Sequence, residues 1–244
     1  SDGVIATNHE DLQRLKHLPN AALIPIGSNI LQPLPADFDP RMWRQRAGAG
    51  AGDFLLAFFG LVNRSKGLDL ALEALARLRA DGCSVRLVII GGETGSSDPT
   101  NTAYQQEIRQ QIERLDLPEY IHTTGFVDET TVAQYLTASD AVVLPFRDGA
   151  SYRRGSLMAA LQYGCAVVTT QPGVAIPAFV DGDNMLLVPP DAAALTDAVQ
   201  RLYHSPALRS QLKIGAKHLA ARFEWTQIAR DTISLLERIS GVPA

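Results

Sequence analysis

The chain is poor in cysteine and has no long apolar run. Its 244 residues include two cysteines, Cys83 and Cys165, and neither has the neighbours that a metal site or a disulfide framework would need. No apolar stretch approaches the roughly 20 residues of a membrane span, and no signal peptide is visible. The five histidines are scattered, without zinc-binding spacing. We therefore expect a reduced, cytoplasmic chain with no zinc site.

Positive charge is also scarce. Lys and Arg total 22 against 26 Asp and Glu, a net charge of -4. This balance argues against a nucleic-acid surface and confines any phosphate binding to a local site. With 46% hydrophobic and 20% charged residues, the composition is that of an ordinary globular protein. Because the chain begins Ser-Asp-Gly rather than Met, directly before a strand-like run, we expect an excised fragment.

Short apolar runs alternate with amphipathic segments over most of the chain. The runs are apolar at nearly every position, which indicates strands buried on both faces, and the segments between them have helical spacing. This alternation predicts an α/β fold: a Rossmann-like doubly wound parallel sheet flanked by helices, with ligands bound beyond the carboxyl ends of the strands. The predicted strands are Leu55–Phe59, Val85–Ile90, Tyr120–Thr123, Ala141–Leu144, Ala166–Thr170 and Met185–Val188; the predicted helices are Leu68–Ala80, Ala103–Leu115, Glu129–Ala138, Ser156–Tyr163 and Ala192–His204.

A stretch rich in Pro, Ala and Gly predicts a domain boundary. It covers residues 35–52, with 47–52 the most flexible part, and we interpret it as a flexible linker. The linker separates residues 1–34, which contain a short strand, a helix and a second strand, from the Rossmann-like domain at 53–244.

The first predicted βα turn has the residues of an anion site. A strand ends at Gly60, and the turn that follows carries Asn63, Arg64 and Lys66 to the start of a helix. Free backbone N–H groups and the positive end of the helix dipole favour an anion there. The two cations would suit a diphosphate ligand. The alternative is an ordinary turn whose charged side chains are solvated.

Two further turns have glycines that admit a ligand to the backbone. Gly92 follows a buried strand as one of a glycine pair, although turn geometry alone would also explain the pair. Gly125 precedes Phe126 and Val127, where a backbone amide and carbonyl could bind a nucleobase edge and one of the two side chains could lie against its face.

The turn after the strand Ala141–Leu144 is the richest in candidate ligands. It lies at the same rim as Lys66 and carries guanidinium groups, which match phosphate oxygens, beside a carboxylate and two serines. Its last serine can also cap the following helix. A charged surface loop with a capping serine is the alternative. The candidate residues are Arg147, Asp148, Ser151, Arg153, Arg154, Gly155 and Ser156.

Taken together, these turns resemble the C-terminal, nucleotide-sugar-binding domain of retaining glycosyltransferases of the GT-B fold, group 1 or family 4. That domain has a Gly-Arg-x-x-x-x-Lys-Gly turn, a Gly-Phe/Tyr-Val turn, and a pair of glutamates leading into Ala-Met-Ala-x-Gly-x-Pro-Val-Val. It also has a Val-x-Asp-Gly-x-x-Gly-x-Leu-Val-Pro run and an interdomain turn. The matching segments here are Gly60 to Gly67, Gly125 to Val127, Ala159 to Val168, Phe179 to Pro189, and Ile24 to Asn29 with Gly27 and Ser28.

The sequence departs from that pattern at three positions. Leu61 stands at the family arginine, so that only Lys66 carries over cleanly, and Arg64 would be the candidate to substitute for that arginine. Ser151 and Ala159 stand at the two glutamates, of which the first contacts the donor sugar and the second holds the ribose. Asp148 or Ser151 would take the first role, and Ser156 the second. Alternatively, this branch uses a different donor or has lost transfer.

The resemblance implies a glycosyltransferase that moves a sugar from a nucleotide-sugar donor to an acceptor. Lys66, Asp148 and Ser151 are then the catalytic candidates, and the other residues of these turns bind the donor, with no metal or other cofactor. Residues 1–34 would be the tail of the N-terminal domain and the interdomain segment. The missing N-terminal domain would bind the acceptor, with peripheral membrane association of the full-length protein as a further expectation. The alternatives are a nucleotide-sugar-binding module without activity and a GT-B epimerase or phosphorylase.

Overall fold

The computed structural model describes residues 2–92 and 99–241. A small N-terminal unit comes first, with strand β1 (Val4–Ala6), helix α1 (His9–Leu15) and strand β2 (Ala21–Leu23). The two strands pair in parallel, and the side chain of Asn8 caps α1 by accepting a hydrogen bond from the backbone of Asp11.

The rest of the chain forms a sheet covered by helices on both sides, as the alternating pattern predicts. Its elements in chain order are α2 (Pro40–Arg46), β3 (Phe54–Phe59), α3 (Leu68–Ala80), β4 (Val85–Ile90), α4 (Pro99–Arg114), β5 (Ile121–Thr123), α5 (Glu129–Ala138), β6 (Ala141–Leu144), α6 (Gly155–Gln162), β7 (Val167–Thr170), β8 (Leu186–Val188), α7 (Ala192–His204), α8 (Pro206–Ala220) and α9 (Trp225–Ser240). The observed bounds differ from the predicted ones mainly at element ends. Tyr120, for example, closes a 3-10 turn before β5 rather than starting the strand.

The sheet has the strand order β5-β4-β3-β6-β7-β8, and every neighbouring pair is parallel. Successive residues of β3 face opposite sides, so that Leu55 packs in one core cluster and Leu56 in the other. Strand order reverses between β3 and β6. In open α/β sheets this switch point leaves a crevice for ligands at the carboxyl ends of the strands.

The segment 35–52, predicted as a flexible linker, is mostly exposed but contains a helix, and its Trp43, Ala47 and Ala49 are buried. It contains α2, which begins at Pro40 with Asp39 as its cap, and Trp43 on that helix is 6% exposed. The Trp43 indole packs edge-on against Tyr135 of α5, with 4.8 Å between ring centroids. The abundance of Pro, Ala and Gly suggested a mobile connection, but the buried indole packs α2 of this segment against α5.

The last helix returns to the N-terminal unit. Ile228 and Leu235 of α9 form a small apolar cluster with Ile24, which follows β2. Among the described residues, none of the helices combines the length and apolar character that a bilayer crossing requires.

Candidate functional site

The turns after β3 and β6 lie against each other at the switch point. Gly67, at the start of α3, has a φ of +69°, and a Cβ there would overlap the carbonyl oxygen of Pro145. The backbone N–H of Arg147 donates to the carbonyl oxygen of Ser65, at 3.0 Å. Glycine at position 67 is therefore needed both for its positive φ and for the close approach of the two turns.

Lys66 is the central cation of this crevice. Its Nζ lies 3.1 Å from the Oγ of Ser156 in the first turn of α6, and 5.2 Å from the centroid of the buried Phe146 ring. The guanidinium of Arg154 lies over the same ring, 4.6 Å from the centroid. Lys66 from the turn after β3 and Arg154 from the turn after β6 therefore lie against the same aromatic ring.

The pKa of Lys66 is lowered from 10.5 to about 8, mainly by burial and also by the charge of Arg154, with Asp148 acting in the opposite direction. An ammonium group that is largely removed from water and lies beside a guanidinium favours an anion. An incoming negative charge offsets both the desolvation of the ammonium and its repulsion by the guanidinium.

The other three predicted cations are directed elsewhere. Arg64 pairs with Glu107 of α4 at 2.6 Å, so that it does not take the place of the family arginine beside Lys66. Arg147 forms an ion pair with Asp69 of α3, and Arg153 with Asp11 of α1, at 3.3 Å. These acidic partners belong to three different helices, and no sequence pattern links them to the arginines.

Asp148 and Ser151 border a pocket of about 250 Å³ between α1 and the turns after β6 and β7. Asp148 also forms an ion pair with Arg154, which connects the pocket to the Lys66 crevice. The opposite wall is formed by Asn8, His9 and Glu10 of the N-terminal unit. Sequence reasoning missed these three residues, because they lie in the N-terminal unit, more than a hundred positions before Asp148 in the chain.

The glycine-rich turns after β4 and β5 pack closely together. A Cβ on Gly92 would lie 3.2 Å from the Cα of Gly125, and Gly125 itself has a φ of +67°. Phe126 next to it is 94% exposed, whereas Val127 packs against the core. Phe126 is thus the side chain available to lie against a flat ligand such as a base, and Val127 is not.

Gly27, Ser28 and Asn63 stabilise turns. A Cβ on Gly27 would clash with the carbonyl oxygen of Phe223. The Ser28 hydroxyl is buried and exchanges hydrogen bonds with the backbone of Ile30, at 2.9 and 3.0 Å. The side-chain oxygen of Asn63 accepts a hydrogen bond from Ser65. The predicted donor contacts of Ser28 and Asn63 would therefore compete with these internal bonds, and the Gly27 backbone lies close to Phe223.

Gly155, Ser156 and Ala159 lie in order along α6. Gly155 begins the helix close to Asn29, whose side-chain oxygen is 3.8 Å from where a Cβ of Gly155 would lie. Asn29 is exposed and was not among the predicted residues. Ala159, at the position of the family glutamate, is 0% exposed within the core.

No cluster of three or more His, Cys, Asp or Glu side chains within residues 2–92 and 99–241 could hold a metal ion. Gly60, with a φ of +138°, lies under the Lys66 side chain, at 3.5 Å from the position of a Cβ. Among the described residues, Lys66 and Arg154 are the cations that lie over the Phe146 ring.

The sequence and the fold both match known proteins. The family model described as "Glycosyl transferases group 1" matches residues 53–205. A D-inositol 3-phosphate glycosyltransferase of Xylanimonas cellulosilytica is 27% identical over 241 residues, 94% of this chain and 55% of that protein. The chain thus spans about half the length of the curated relatives it matches.

Among solved structures, Anabaena HepE in complex with UDP superposes with a TM-score of 0.82 at 22% identity, covering 98% of this chain and 64% of HepE. The C-terminal domain of a group 1 glycosyl transferase family protein (LpcC) of Francisella tularensis gives a TM-score of 0.64 at 23% identity, over 80% of this chain and 96% of that domain. These likenesses support the GT-B fold expected from the sequence. On the family match over residues 53–205, the chain belongs to the group 1 glycosyl transferases.

Proposed function

We propose that this chain is the donor-binding half of a glycosyltransferase and that the Lys66 crevice binds the diphosphate of a nucleotide sugar. The observation that carries the proposal is the convergence of Lys66 and Arg154 on the Phe146 ring at the first turn of α6. Lys66 has no carboxylate within ion-pairing distance among the described residues, so its charge is available to a ligand. The relative HepE, which shares the fold, is described in complex with UDP.

This arrangement suits departure of a nucleoside diphosphate. When the bond between the anomeric carbon of the sugar and the diphosphate oxygen breaks, its electron pair stays on the diphosphate, which becomes more negative. Fixed cations and the N–H groups at the start of α6 stabilise this growing charge more than they stabilise the intact donor. No metal is needed for the step in this proposal, since Lys66 and Arg154 supply the positive charge.

The remaining parts of the donor would extend from the diphosphate in two directions. We place the base near the turns of Gly92 and Gly125, with Phe126 against its face. We place the sugar toward Asp148 and Ser151. The acceptor would be bound by residues outside this chain, and peripheral membrane association and a cytoplasmic location of the whole protein remain part of the proposal.

Titration calorimetry with UDP, GDP and ADP, each with and without an attached sugar, tests this function. Lys66→Met should weaken binding of the preferred nucleotide at least tenfold, because a hydrogen bond to a charged group contributes about 1.5–3 kcal/mol. Arg64→Met is the matched control, since Arg64 belongs to the same turn but pairs with Glu107. It should change the affinity less than twofold, within about 0.5 kcal/mol.

Absence of binding by the wild-type chain, or equal losses in the two variants, would contradict the proposal. A module that binds the donor without transferring the sugar is the second candidate, and the buried Ala159 at the family glutamate position favours it. Release of nucleoside diphosphate from a nucleotide sugar by the full-length protein, followed over time with acceptor-free and acceptor-containing mixtures, separates the two.

A further inference from the structure

The first turn of α3 is anchored to α4 by a buried tyrosine. Tyr104 of α4 is 2% exposed. Its hydroxyl donates to a carboxylate oxygen of Asp69, at 2.6 Å, and accepts from the backbone N–H of the same residue, at 3.3 Å. Burial and the hydrogen bond to Asp69 raise the pKa of Tyr104 above its ordinary value of 10.0, so the hydroxyl keeps its proton and remains a donor. The position of Asp69 is therefore fixed relative to α4.

Asp69 connects this anchor to the turn after β6. Its other carboxylate oxygen forms the ion pair with Arg147, and 18% of its side chain is exposed. The backbone N–H of Arg147 donates to the carbonyl oxygen of Ser65, at 3.0 Å. Ser65 precedes Lys66 in the chain and Arg147 follows Phe146, so this hydrogen bond lies beside the contact between the Lys66 ammonium and the Phe146 ring. The Asp69 carboxylate thus links α4 to the place where the two turns meet.

A second contact between α4 and the turn after β3 is weaker. The ion pair of Arg64 with Glu107 joins side chains that are 60% and 54% exposed, and ion pairs in water contribute little. The hydrogen bond between Tyr104 and Asp69 is shielded from water, and its loss would leave a largely buried carboxylate short of a donor. Of these two contacts, the buried one therefore controls the position of the turn.

We propose that Tyr104 is a positioning residue of the anion site, whose hydroxyl holds Lys66 in its binding position by way of Asp69. The ion pair from Asp69 to Arg147 extends this effect to the turn after β6. The inference rests on the proposed function, because the diphosphate is the ligand that Lys66 would meet. It goes further in giving α4 a part in donor binding that requires no contact between Tyr104 and the ligand.

The test removes this hydroxyl and, as a control, a similar hydroxyl at the opposite end of the sheet. Tyr104→Phe deletes the contact with Asp69 and keeps the ring. Tyr203→Phe is the matched control, because the Tyr203 hydroxyl also accepts a backbone N–H at 3.3 Å, from Ser84 just before β4. Both variants should remain folded in thermal unfolding, since each keeps its ring. Affinities for UDP, GDP and ADP are measured by calorimetry at about pH 7 and pH 9, on either side of the Lys66 titration, using the nucleotide that wild type binds best.

The expected result is a loss of affinity that depends on pH. Tyr104→Phe should weaken nucleotide binding about fivefold at pH 7. A Lys66 side chain that is released from the crevice is better hydrated, so its pKa rises from about 8 toward its ordinary value of 10.5. Arg154 and Asp148, the charges that shift this pKa, are unchanged in the variant. The variant should therefore keep its affinity up to pH 9, where wild type weakens and the two differ by less than about twofold. Tyr203→Phe should match wild type within about twofold at both pH values.

A substitution of Arg147 tests the route of the effect. In an Arg147→Met background, Tyr104→Phe should change the affinity at pH 7 less than about twofold, because the connection between the turns is already broken. The inference is wrong if Tyr104→Phe binds like wild type, if its loss is the same at both pH values or in both backgrounds, or if Tyr203→Phe loses as much. The donor site then stands as long as Lys66→Met still weakens binding. If wild type binds none of the three nucleotides, the proposed function fails and the inference fails with it.

Discussion

At the scale of single residues, the site depends on a cation that is costly to keep without its ligand. Lys66 is largely buried, its pKa is lowered mainly by that burial, and a second cation, Arg154, lies beside it. Proteins retain such a group where its interaction with a ligand outweighs the cost. Lys66 was predicted from the sequence as a candidate anion ligand, because a lysine that follows a strand and a glycine turn is a local pattern.

Affinity for a nucleoside diphosphate should therefore depend on pH. The protonated form of Lys66 binds the anion, and its pKa in the free chain is about 8. Affinity should accordingly be full below pH 8 and fall as the pH rises through it, by about tenfold between pH 7 and pH 9. Calorimetric titrations of the preferred nucleotide across that range measure the slope.

Lys66→Met is the control for this pH dependence, and it should bind weakly with little slope over the same range. Arg64→Met should keep the wild-type slope, since its guanidinium stays charged and lies away from the crevice with Glu107. An unchanged slope in Lys66→Met would assign the titration to another group.

The ion-pair partners of three arginines could not be predicted from neighbouring residues in the sequence. Arg147, Arg153 and Arg154 are close in sequence and were predicted to bind one phosphate-bearing ligand together. Each pairs with a different carboxylate, on α3, on α1 and within the turn itself, and Arg154 also lies beside Lys66 over the Phe146 ring. The carboxylate that each arginine meets depends on which helices pack nearby. The spacing of the arginines along the chain does not indicate these partners.

At the scale of elements, the crevice exists because two strand tips approach each other without a side chain between them. Gly67 precedes α3 with its φ of +69°, and its Cα faces the carbonyl of Pro145 after β6. The turn after β3 then places Lys66 over Phe146 and against α6.

Gly67→Ala should destabilise the protein more than a positive φ alone explains. Gly82 is a matched control, because it has a φ of +81° at the end of α3 and open space around it. Gly82→Ala should cost about 1 kcal/mol of unfolding free energy, and Gly67→Ala about 2 kcal/mol more, since a methyl group must push the two turns apart. Chemical denaturation of both variants measures the difference, and equal losses would mean that the turns are not in contact.

At the scale of the whole molecule, segments far apart in sequence complete the core and the pocket. The segment with α2 packs on α5 through Trp43, and α9 returns to the N-terminal unit that carries His9. Three parts of the chain, α1, the β6 turn and the β7 turn, meet around one pocket.

Substitution of Trp43 tests whether the segment 35–52 belongs to the folded core. Trp43→Ala should lower the unfolding free energy by about 3–5 kcal/mol, as expected for a large buried side chain. Met42→Ala changes a neighbour on the same helix that is 41% exposed, and it should cost less than about 1 kcal/mol. Similar small losses in both would restore the interpretation of this segment as a linker.

The sequence by itself determined the α/β class, the parallel sheet, the family resemblance and the position of Lys66 in the turn after β3. These follow from periodicity, from apolar strands and from local turn residues, all of which are written in short stretches of chain. Tertiary structure alone decided that Arg154 rather than Arg64 accompanies Lys66, that Trp43 fixes the supposed linker, and that His9 borders the pocket. The reason is physical: burial and charge pairing depend on which distant segments pack together, and neighbouring residues in sequence do not specify that packing.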